Sequence, residues 1–378
     1  MDEEGLRERG SPVVVYLHGL DEEFDWWYCI DVPVTKDPLL TKDDDNSGQP
    51  IILPIKKISP VAKLNPVIYG SAGNWAVIGD DIYYAGGYLP DGLSGSIPSE
   101  KLVKHSMTQS DPAFWQIESS LNCPRMSPVV AAVGREKLCV VGGNHCTCHD
   151  RPKCGEIYDI KDKTWKYLDD DFDAFAPYDP YSEVAISVEK DEPTQIVFYS
   201  LLKGCIMFFD PTKGTISKLI EDQKDFALWS HSWDPSPEGL GDKAKIRPLG
   251  RASNNLNAVF TNDTFYWFTF DMYMYAYHVS AKTWFQSPCL IDQFTSLSYH
   301  GRPPPSPILV GLPQDGKFVV FLPEEPEPGL MMMACLKVER NLQSLQVLVE
   351  LIQPLSLEET YFLPFEGKAM YTTDTLSM

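Results

Sequence analysis

The sequence predicts an all-β protein built from repeated four-stranded antiparallel units. The clearest unit spans residues 126–168, where apolar runs at 128–133 and 138–143 flank a short polar turn. Two further strands follow, and each carries a large aromatic residue, Tyr158 and Trp165, seven positions apart. The second strand ends in a glycine pair, which lets the chain turn where a side chain would collide with neighbouring backbone. Periodicity typical of helices is scarce elsewhere.

This pattern recurs at a spacing near fifty residues. An earlier unit has a matching glycine pair that begins at Gly86 and a matching tryptophan, Trp115. Gly142 follows Gly86 by 56 residues, and Trp165 follows Trp115 by 50 residues. Four strands in a period of about fifty residues are typical of β-propellers.

The first two units also show predicted strands. In the first unit these are residues 13–16, 26–31 and 51–55, with an acidic insertion at residues 36–50 between the last two. The second unit is predicted to begin with a strand at residues 66–69.

The later units lack the glycine pair but keep the spacing of their last two strands. The same offset of seven residues separates Phe209 from Ile216, Tyr277 from Trp284, and Val338 from Leu345. The first unit lacks an innermost strand, and we expect residues 369–372 to supply it and so remove an exposed sheet edge. Six units then form one domain, residues 12–378, behind a disordered leader at residues 1–11. Five or seven units are alternatives, because residues 221–249 join the fourth and fifth units irregularly.

Composition excludes several classes of function. The chain has 378 residues, 43% of them hydrophobic and 22% charged, which is typical of a globular protein. Its formal net charge of -21 would repel nucleic acids and anionic membranes. No apolar run approaches the length of a membrane span, and residues 1–10 do not resemble a signal peptide. The 9 cysteines, an odd number and partly within apolar strands, favour a reducing compartment, the cytoplasm or the nucleus.

Three features of the clearest unit resemble the kelch repeat. Its glycine pair closes the second strand, Tyr158 precedes Trp165 by seven residues, and a Pro-Arg step ending at Arg125 leads into the first strand. The resemblance is good for residues 66–168 and fair for residues 183–349. The chain is similar to plant kelch-repeat proteins of the kind often fused to an F-box.

This resemblance implies a galactose-oxidase-like, six-bladed β-propeller whose usual role is to bind proteins. Residues 1–11 leave no room for the helical F-box module. We therefore expect a non-catalytic protein-binding module or adaptor that presents loops to a protein partner and needs no cofactor. The sequence has no nucleophile elbow, phosphate-binding glycine loop or zinc-protease helix motif, which also argues against an enzyme.

Three arginines are candidates for partner binding. Arg125, Arg251 and Arg302 each stand shortly before the first strand of a unit. In a closed ring they would recur at one face near the central channel, where their guanidinium groups would bind carboxylates or phosphates. The alternative is that each arginine pairs with a neighbouring acid and locks adjacent units together.

The loop after the glycine pair of the third unit holds the sharpest cluster of metal-type ligands. Its candidates are Cys146, Cys148, His149 and Cys154. Thiolates and imidazoles suit tetrahedral zinc. However, a single residue separates Cys146 from Cys148, which departs from the usual spacing, so we expect no metal and an exposed loop.

Some plant kelch proteins resemble specifier proteins, and this similarity implies a different class of function. These hold iron through Glu, Asp and His at four-residue spacing, and Glu221 and Asp225 match the first two positions. Trp229 occupies the third position, which departs from the pattern. The alternative function is therefore a metal-assisted enzyme or small-ligand binder that uses the mouth of the channel.

Overall fold

A computed structural model describes most of the predicted strands. The residues described are 13–20, 23–33, 50–71, 73–91, 95–143, 155–168, 183–186, 196–200, 205–210, 213, 215–220, 258–269, 272–294, 307–312, 316–323, 329–341, 344–358 and 370–372. The expected leader at residues 1–11 lies outside them. Within these ranges, no helix has the length and apolar character needed to cross a membrane.

The strands of the first two sheets lie in the N-terminal third of the chain. Strands β1 to β5 are Val13–Leu20, Asp25–Val32, Ile51–Ile52, Lys56–Ile58 and Pro60–Leu64. A short helix, α1, spans Pro66–Tyr69. Strands β6 to β10 are Asn74–Ile78, Asp81–Ala85, Tyr88–Asp91, Gly95–Ser106 and Gln116–Arg125.

The remaining strands follow in sets of four. Strands β11 to β14 are Val129–Val133, Lys137–Val141, Gly155–Asp159 and Thr164–Tyr167, and β15 to β18 are Glu183–Ile186, Ile196–Ser200, Cys205–Asp210 and Thr215–Ile220. Strands β19 to β22 are Val259–Thr261, Thr264–Phe268, Met274–His278 and Thr283–Gln286. Strands β23 to β27 are Ile308–Gly311, Lys317–Pro323, Leu330–Arg340, Leu345–Leu357 and Met370–Thr372.

The described strands form six sheets that follow one another along the chain. Sheet one has the order β27-β1-β2-β5, and sheet two has β6-β7-β9-β10 with β8 added beside β9. Sheets three, four and five are β11 to β14, β15 to β18 and β19 to β22, each in chain order. Sheet six is β23 to β26, with β3 and β4 paired in parallel to β26. The prediction of an all-β chain of four-stranded antiparallel units is confirmed.

Six buried apolar clusters join these sheets in a closed cycle. Five of the clusters each lie between two consecutive sheets, the first between sheets one and two and the fifth between sheets five and six. The last cluster joins sheet six back to sheet one and includes Val15 and Phe321. Every sheet therefore removes both of its apolar faces from water, which is the main stabilising effect in a repeat of this kind. The arrangement is propeller-like.

The two ends of the chain meet in sheet one. Strand β27 pairs antiparallel with β1, with Val14 opposite Thr372 and Tyr16 opposite Met370. This confirms the expectation that residues 369–372 supply the innermost strand of the first unit. The pairing removes an exposed edge at the point where the ring closes.

Two local predictions in the first units were wrong. The prediction that residues 51–55 form the third strand of the first unit fails, because Ile51–Ile52 pairs with β26 of sheet six and β5 takes the outer position in sheet one. Residues 66–69 form α1 rather than a strand. Asn65 caps this helix by accepting a hydrogen bond from the Val67 N–H at 2.9 Å, and Pro66 occupies its first turn.

The seven-residue offset marks directly opposed residues in adjacent strands. Tyr158 lies opposite Trp165, and Tyr277 lies opposite Trp284. In sheet six, Val338 instead faces Val347, because β25 continues as far as Arg340 before the chain turns. Phe209 lies opposite Ile216 in sheet four.

The glycine pairs have the role expected from the sequence. Gly87 and Gly143 have φ angles of 93° and 87°, which side chains rarely adopt. A Cβ atom at Gly87 would lie 2.5 Å from the Ser71 carbonyl oxygen, and one at Gly143 would lie 2.5 Å from that of Met126. Each pair therefore lets the second strand of its sheet approach the chain segment that leads into an innermost strand.

Candidate functional site

An exposed apolar surface stands at one end of sheet two. It consists of Val67, Ile68, Tyr88 and Ile97, which are 66%, 54%, 38% and 50% exposed. We call these four residues the α1 surface. They lie on neighbouring elements, Val67 and Ile68 on α1 and Tyr88 and Ile97 on the β8–β9 hairpin, where the strand register places Tyr88 and Ile97 on opposite faces. Large apolar side chains exposed on neighbouring elements are costly to leave in water and mark binding sites more often than single exposed residues do.

Two additions to the four-stranded pattern build the α1 surface. Helix α1 is inserted in the connection between β5 and β6. The other addition is β8, which pairs with the first residues of β9 so that Leu89 lies opposite Ile97. Neither element is needed to complete sheet two. Tyr69 of α1 packs against the apolar cluster between sheets one and two, while Val67 and Ile68 remain exposed.

Hydrogen bonds hold the two additions together. The Lys101 ammonium group donates to the Ile68 carbonyl oxygen at 2.7 Å. Ser71 and Tyr88 exchange two backbone hydrogen bonds of 3.0 and 2.8 Å. The α1 surface is therefore presented in a fixed shape, which lowers the entropy cost of binding a partner.

The Tyr84 hydroxyl fixes the segment that links α1 to β6. It donates to the Gly70 carbonyl oxygen and accepts from the Gly73 N–H, both at 2.8 Å. Burial, followed by the nearby Asp25 carboxylate, raises the pKa of Tyr84 well above its usual value. The hydroxyl therefore stays neutral and keeps its proton for the Gly70 bond.

Arg125 lies at the end of β10 and is fully buried. Its Nε atom lies 3.2 Å from Glu156 Oε1, and its Nη1 donates to the Gly142 carbonyl oxygen at 2.7 Å. The other carboxylate oxygen of Glu156 accepts from the Asn122 N–H at 2.9 Å. Burial raises the pKa of Glu156, while the Arg125 guanidinium and this N–H act in the opposite direction.

These contacts change the interpretation of the arginine candidates. Arg125 joins sheet two to sheet three through its ion pair with Glu156. This matches the alternative stated from the sequence, in which an arginine pairs with an acid and locks neighbouring units together. Its guanidinium group has no exposed surface for a partner. The sequence predicted its position shortly before the first strand of the third unit, whereas in the structure it is the last residue of β10 in sheet two and is buried. Arg251 and Arg302 lie outside the described residues.

The predicted metal candidates also lie outside the described part of the chain. These are Cys146, Cys148, His149 and Cys154, together with Glu221, Asp225 and Trp229 of the specifier-like pattern. Within the described ranges, no group of three or more His, Cys, Asp or Glu side chains is arranged to hold a metal ion.

A polar cleft of about 450 Å³ lies at the opposite end of sheet two from α1. Its lining includes Asp80, Asp81, Ser106 and Arg135. The Lys104 ammonium group lies 3.2 Å from an Asp81 carboxylate oxygen beside it. Carboxylate and hydroxyl groups in this cleft suit a small polar molecule, in contrast to the apolar α1 surface.

Comparison with known proteins adds little beyond this geometry. No family model matches the chain, and no curated protein matches it in sequence. Among solved structures, it is similar to that of YjhT, with 10% identity and a TM-score of 0.42 over 88% of this chain and 96% of the other. It is also similar to apo AztD from Citrobacter koseri, with 11% identity and a TM-score of 0.36 over 96% and 98% of the two chains. Likenesses this distant carry no argument about activity or partners.

Proposed function

We propose that this protein is a six-bladed, kelch-type β-propeller that acts as a non-catalytic adaptor and binds a partner protein through the α1 surface. The closed cycle of six sheet interfaces supports the six-bladed ring. The observation that carries the binding role is the exposure of four large apolar side chains, Val67 and Ile68 on α1 and Tyr88 and Ile97 on the β8–β9 hairpin.

The chemistry of the α1 surface favours a protein over a small molecule as its ligand. Apolar and aromatic side chains at the centre of a patch, with polar groups around them, are characteristic of protein interfaces. Tyr88 supplies an aromatic ring of the type that often dominates binding energy. A complete interface covers about 800 Å² on each partner, so the α1 surface represents its centre and neighbouring loops complete it.

The charge of the chain indicates the chemistry of the partner. With a net charge of -21, the protein attracts basic surfaces and repels acidic ones over long distances. The expected partner therefore presents an apolar centre surrounded by lysine or arginine side chains. Its association rate should fall as ionic strength rises. Arg251 and Arg302 stay in this proposal as additional contacts, and the expected compartment is the cytoplasm or the nucleus.

The test compares two charge-insertion variants in affinity purification from native cells followed by mass spectrometry. Ile68→Glu with Ile97→Glu places two carboxylates in the α1 surface. Ile52→Glu with Leu348→Glu places two carboxylates at exposed positions of sheet six and is the matched control. We expect the first variant to weaken recovery of the specific partner about tenfold or more, because burying an unpaired charge at an interface is costly.

Thermal unfolding of both variants is measured first, to check that the fold is intact. The purified partner is then titrated against each chain by calorimetry. Equal affinity of the wild-type chain and the α1-surface variant would refute the assignment of this surface. Absence of any stoichiometric partner with either chain would refute the adaptor function.

A further inference from the structure

A group of buried polar side chains lies in the interface between sheets one and two. Side chains alternate along β1, so that Val15 and Leu17 pack towards sheet six while Tyr16 packs towards sheet two. His18 therefore faces sheet two as well. On β2, Trp27 packs towards sheet two, and Asp25 lies two residues before it on the same face.

These side chains contact one another closely. His18 lies directly opposite Trp27 in the strand pairing, and their rings stack with centroids 4.5 Å apart. His18 Nε2 lies 3.7 Å from Asp25 Oδ2. The side chains of His18 and Asp25 are only 7% and 5% exposed, and Trp27 is fully buried.

Three atoms of this group have no hydrogen-bond partner in the structure. They are His18 Nε2, Asp25 Oδ2 and Trp27 Nε1. The distance of 3.7 Å between His18 and Asp25 is too long for a hydrogen bond. Buried polar groups are nearly always paired with protein or with ordered water, so three such atoms on neighbouring side chains require a common explanation.

The same interface shows how such atoms are normally satisfied. Both ring nitrogens of His105 face carbonyl oxygens, at 2.9 Å for Phe114 and 3.1 Å for Val61. The indole N–H of Trp115 donates to the Lys63 carbonyl oxygen at 2.8 Å. A His and a Trp in this interface thus have full sets of partners, whereas His18 and Trp27 do not.

We infer that His18, Asp25 and Trp27 form a binding site for one hydroxyl group, supplied either by water or by a small polyol. A hydroxyl oxygen accepts a hydrogen bond from the Trp27 indole N–H and donates its proton to the Asp25 carboxylate. Its second lone pair accepts from His18 Nε2 when that nitrogen is protonated. Three hydrogen bonds are the usual number for a buried water, so the three partners suit a single oxygen atom.

Tyr84 links the site to the segment that follows α1. Tyr84 packs against Trp27, with ring centroids 6.0 Å apart, and its hydroxyl interacts with Asp25. The same hydroxyl is bonded to Gly70 and Gly73 in the segment that follows α1. A bound hydroxyl group therefore completes the polar layer on which this segment rests, which goes beyond the proposed role in partner binding.

The test is a pair of high-resolution crystal structures of the wild-type protein, one grown and cooled without polyols and one soaked in glycerol. We expect a density peak within about 3.2 Å of at least two of the three atoms. An isolated peak in both crystals identifies water as the source of the hydroxyl group. Density for glycerol in the second crystal identifies a polyol site.

A matched pair of variants tests the contribution of the indole. Trp27→Phe removes the N–H that faces the site, and Trp115→Phe removes an N–H that is already bonded to protein. The peak should weaken or disappear in the first variant and persist in the second. A dry site in the wild-type crystals, or a peak equally strong in both variants, would overturn the inference.

Discussion

Arg125 and Glu156 form an ion pair without solvent contact at the junction of sheets two and three. The sequence indicates the position of this arginine, after a proline and shortly before the first strand of a unit, because both features are local. Its role depends on Glu156, which lies 31 residues away in the next sheet. Three hydrogen bonds compensate for burial of the two charges. The Arg125 guanidinium and the Asn122 N–H donate to the Glu156 carboxylate, and Arg125 also donates to the Gly142 carbonyl oxygen.

Removal of one partner should therefore be far more harmful than removal of both. Arg125→Met leaves the Glu156 carboxylate buried without its cation, and we expect a loss of about 3–5 kcal/mol in the free energy of unfolding. Arg125→Met combined with Glu156→Leu should recover most of that loss. Urea denaturation measures both values.

The matched control is Lys337→Met, which removes an ion pair with Glu339 at the surface. Solvent screens that pair, so little change is expected. If Arg125→Met were as mild as this surface variant, the buried pair would have no structural role.

At the scale of strands and helices, sequence patterns predicted the hairpins and the closing strand β27, but missed the pairing of β3 with sheet six. In sheets three and five the first two strands, and likewise the last two, are joined by short turns, so their alternation and turn residues lie within one stretch of sequence. Strand β3 carries the same apolar pattern as a strand of sheet one but pairs with β26 of sheet six. Its partner is about 300 residues away, and no local pattern encodes that choice.

The closing strand β27 offers a sharp test at this scale. Deletion of residues 370–378 removes β27, whereas deletion of residues 373–378 keeps it. We expect the longer deletion to lower the midpoint of thermal unfolding by several degrees and to promote association, because β1 then exposes an unpaired edge. Scanning calorimetry and light scattering measure both effects.

The shorter deletion should behave like the full-length chain in both measurements. If the two truncated chains were equally stable, pairing of the chain ends would contribute nothing to the ring.

In the whole molecule, the closed cycle of clusters makes each sheet depend on two neighbours. Cys335 reports on this dependence, because it lies buried in the cluster that joins sheet six to sheet one. Burial, with a smaller effect from the Glu350 carboxylate, raises the pKa of the Cys335 thiol to about 12. The thiol is therefore neutral and shielded in the folded ring.

We expect Cys335 to react with iodoacetamide at pH 8 only through global unfolding, while the exposed Cys289 reacts in the native state. Peptide mass spectrometry over a urea gradient measures both rates. The raised pKa also sets a pH dependence: in the unfolded chain the thiol ionises near its ordinary value of 9.0. The contribution of Cys335 to stability is thus complete below about pH 9 and is lost as pH rises towards 12.

Labelling of Cys335 at urea concentrations well below the global transition would show that the ring opens locally between sheets six and one. Cys335→Ala, which cannot ionise, is the control for the pH dependence. It should flatten the decline in stability between pH 9 and pH 12 relative to the wild-type chain.

The sequence by itself determined the all-β class, the four-stranded units, the glycine turns and the closing of the ring by the end of the chain. The first three depend on alternation, turn residues or aromatic spacing within about fifty residues, which is the length of one repeat. The closing of the ring follows from the strand count, because the first unit lacks an innermost strand and the end of the chain has one left over. Only the tertiary structure decided that Arg125 is buried, that β3 belongs to sheet six, and that His18 and Asp25 form a buried polar group linked through Tyr84 to the segment after α1. These features arise from contacts between segments that are distant in sequence, where burial and the supply of hydrogen-bond partners are set by packing between sheets.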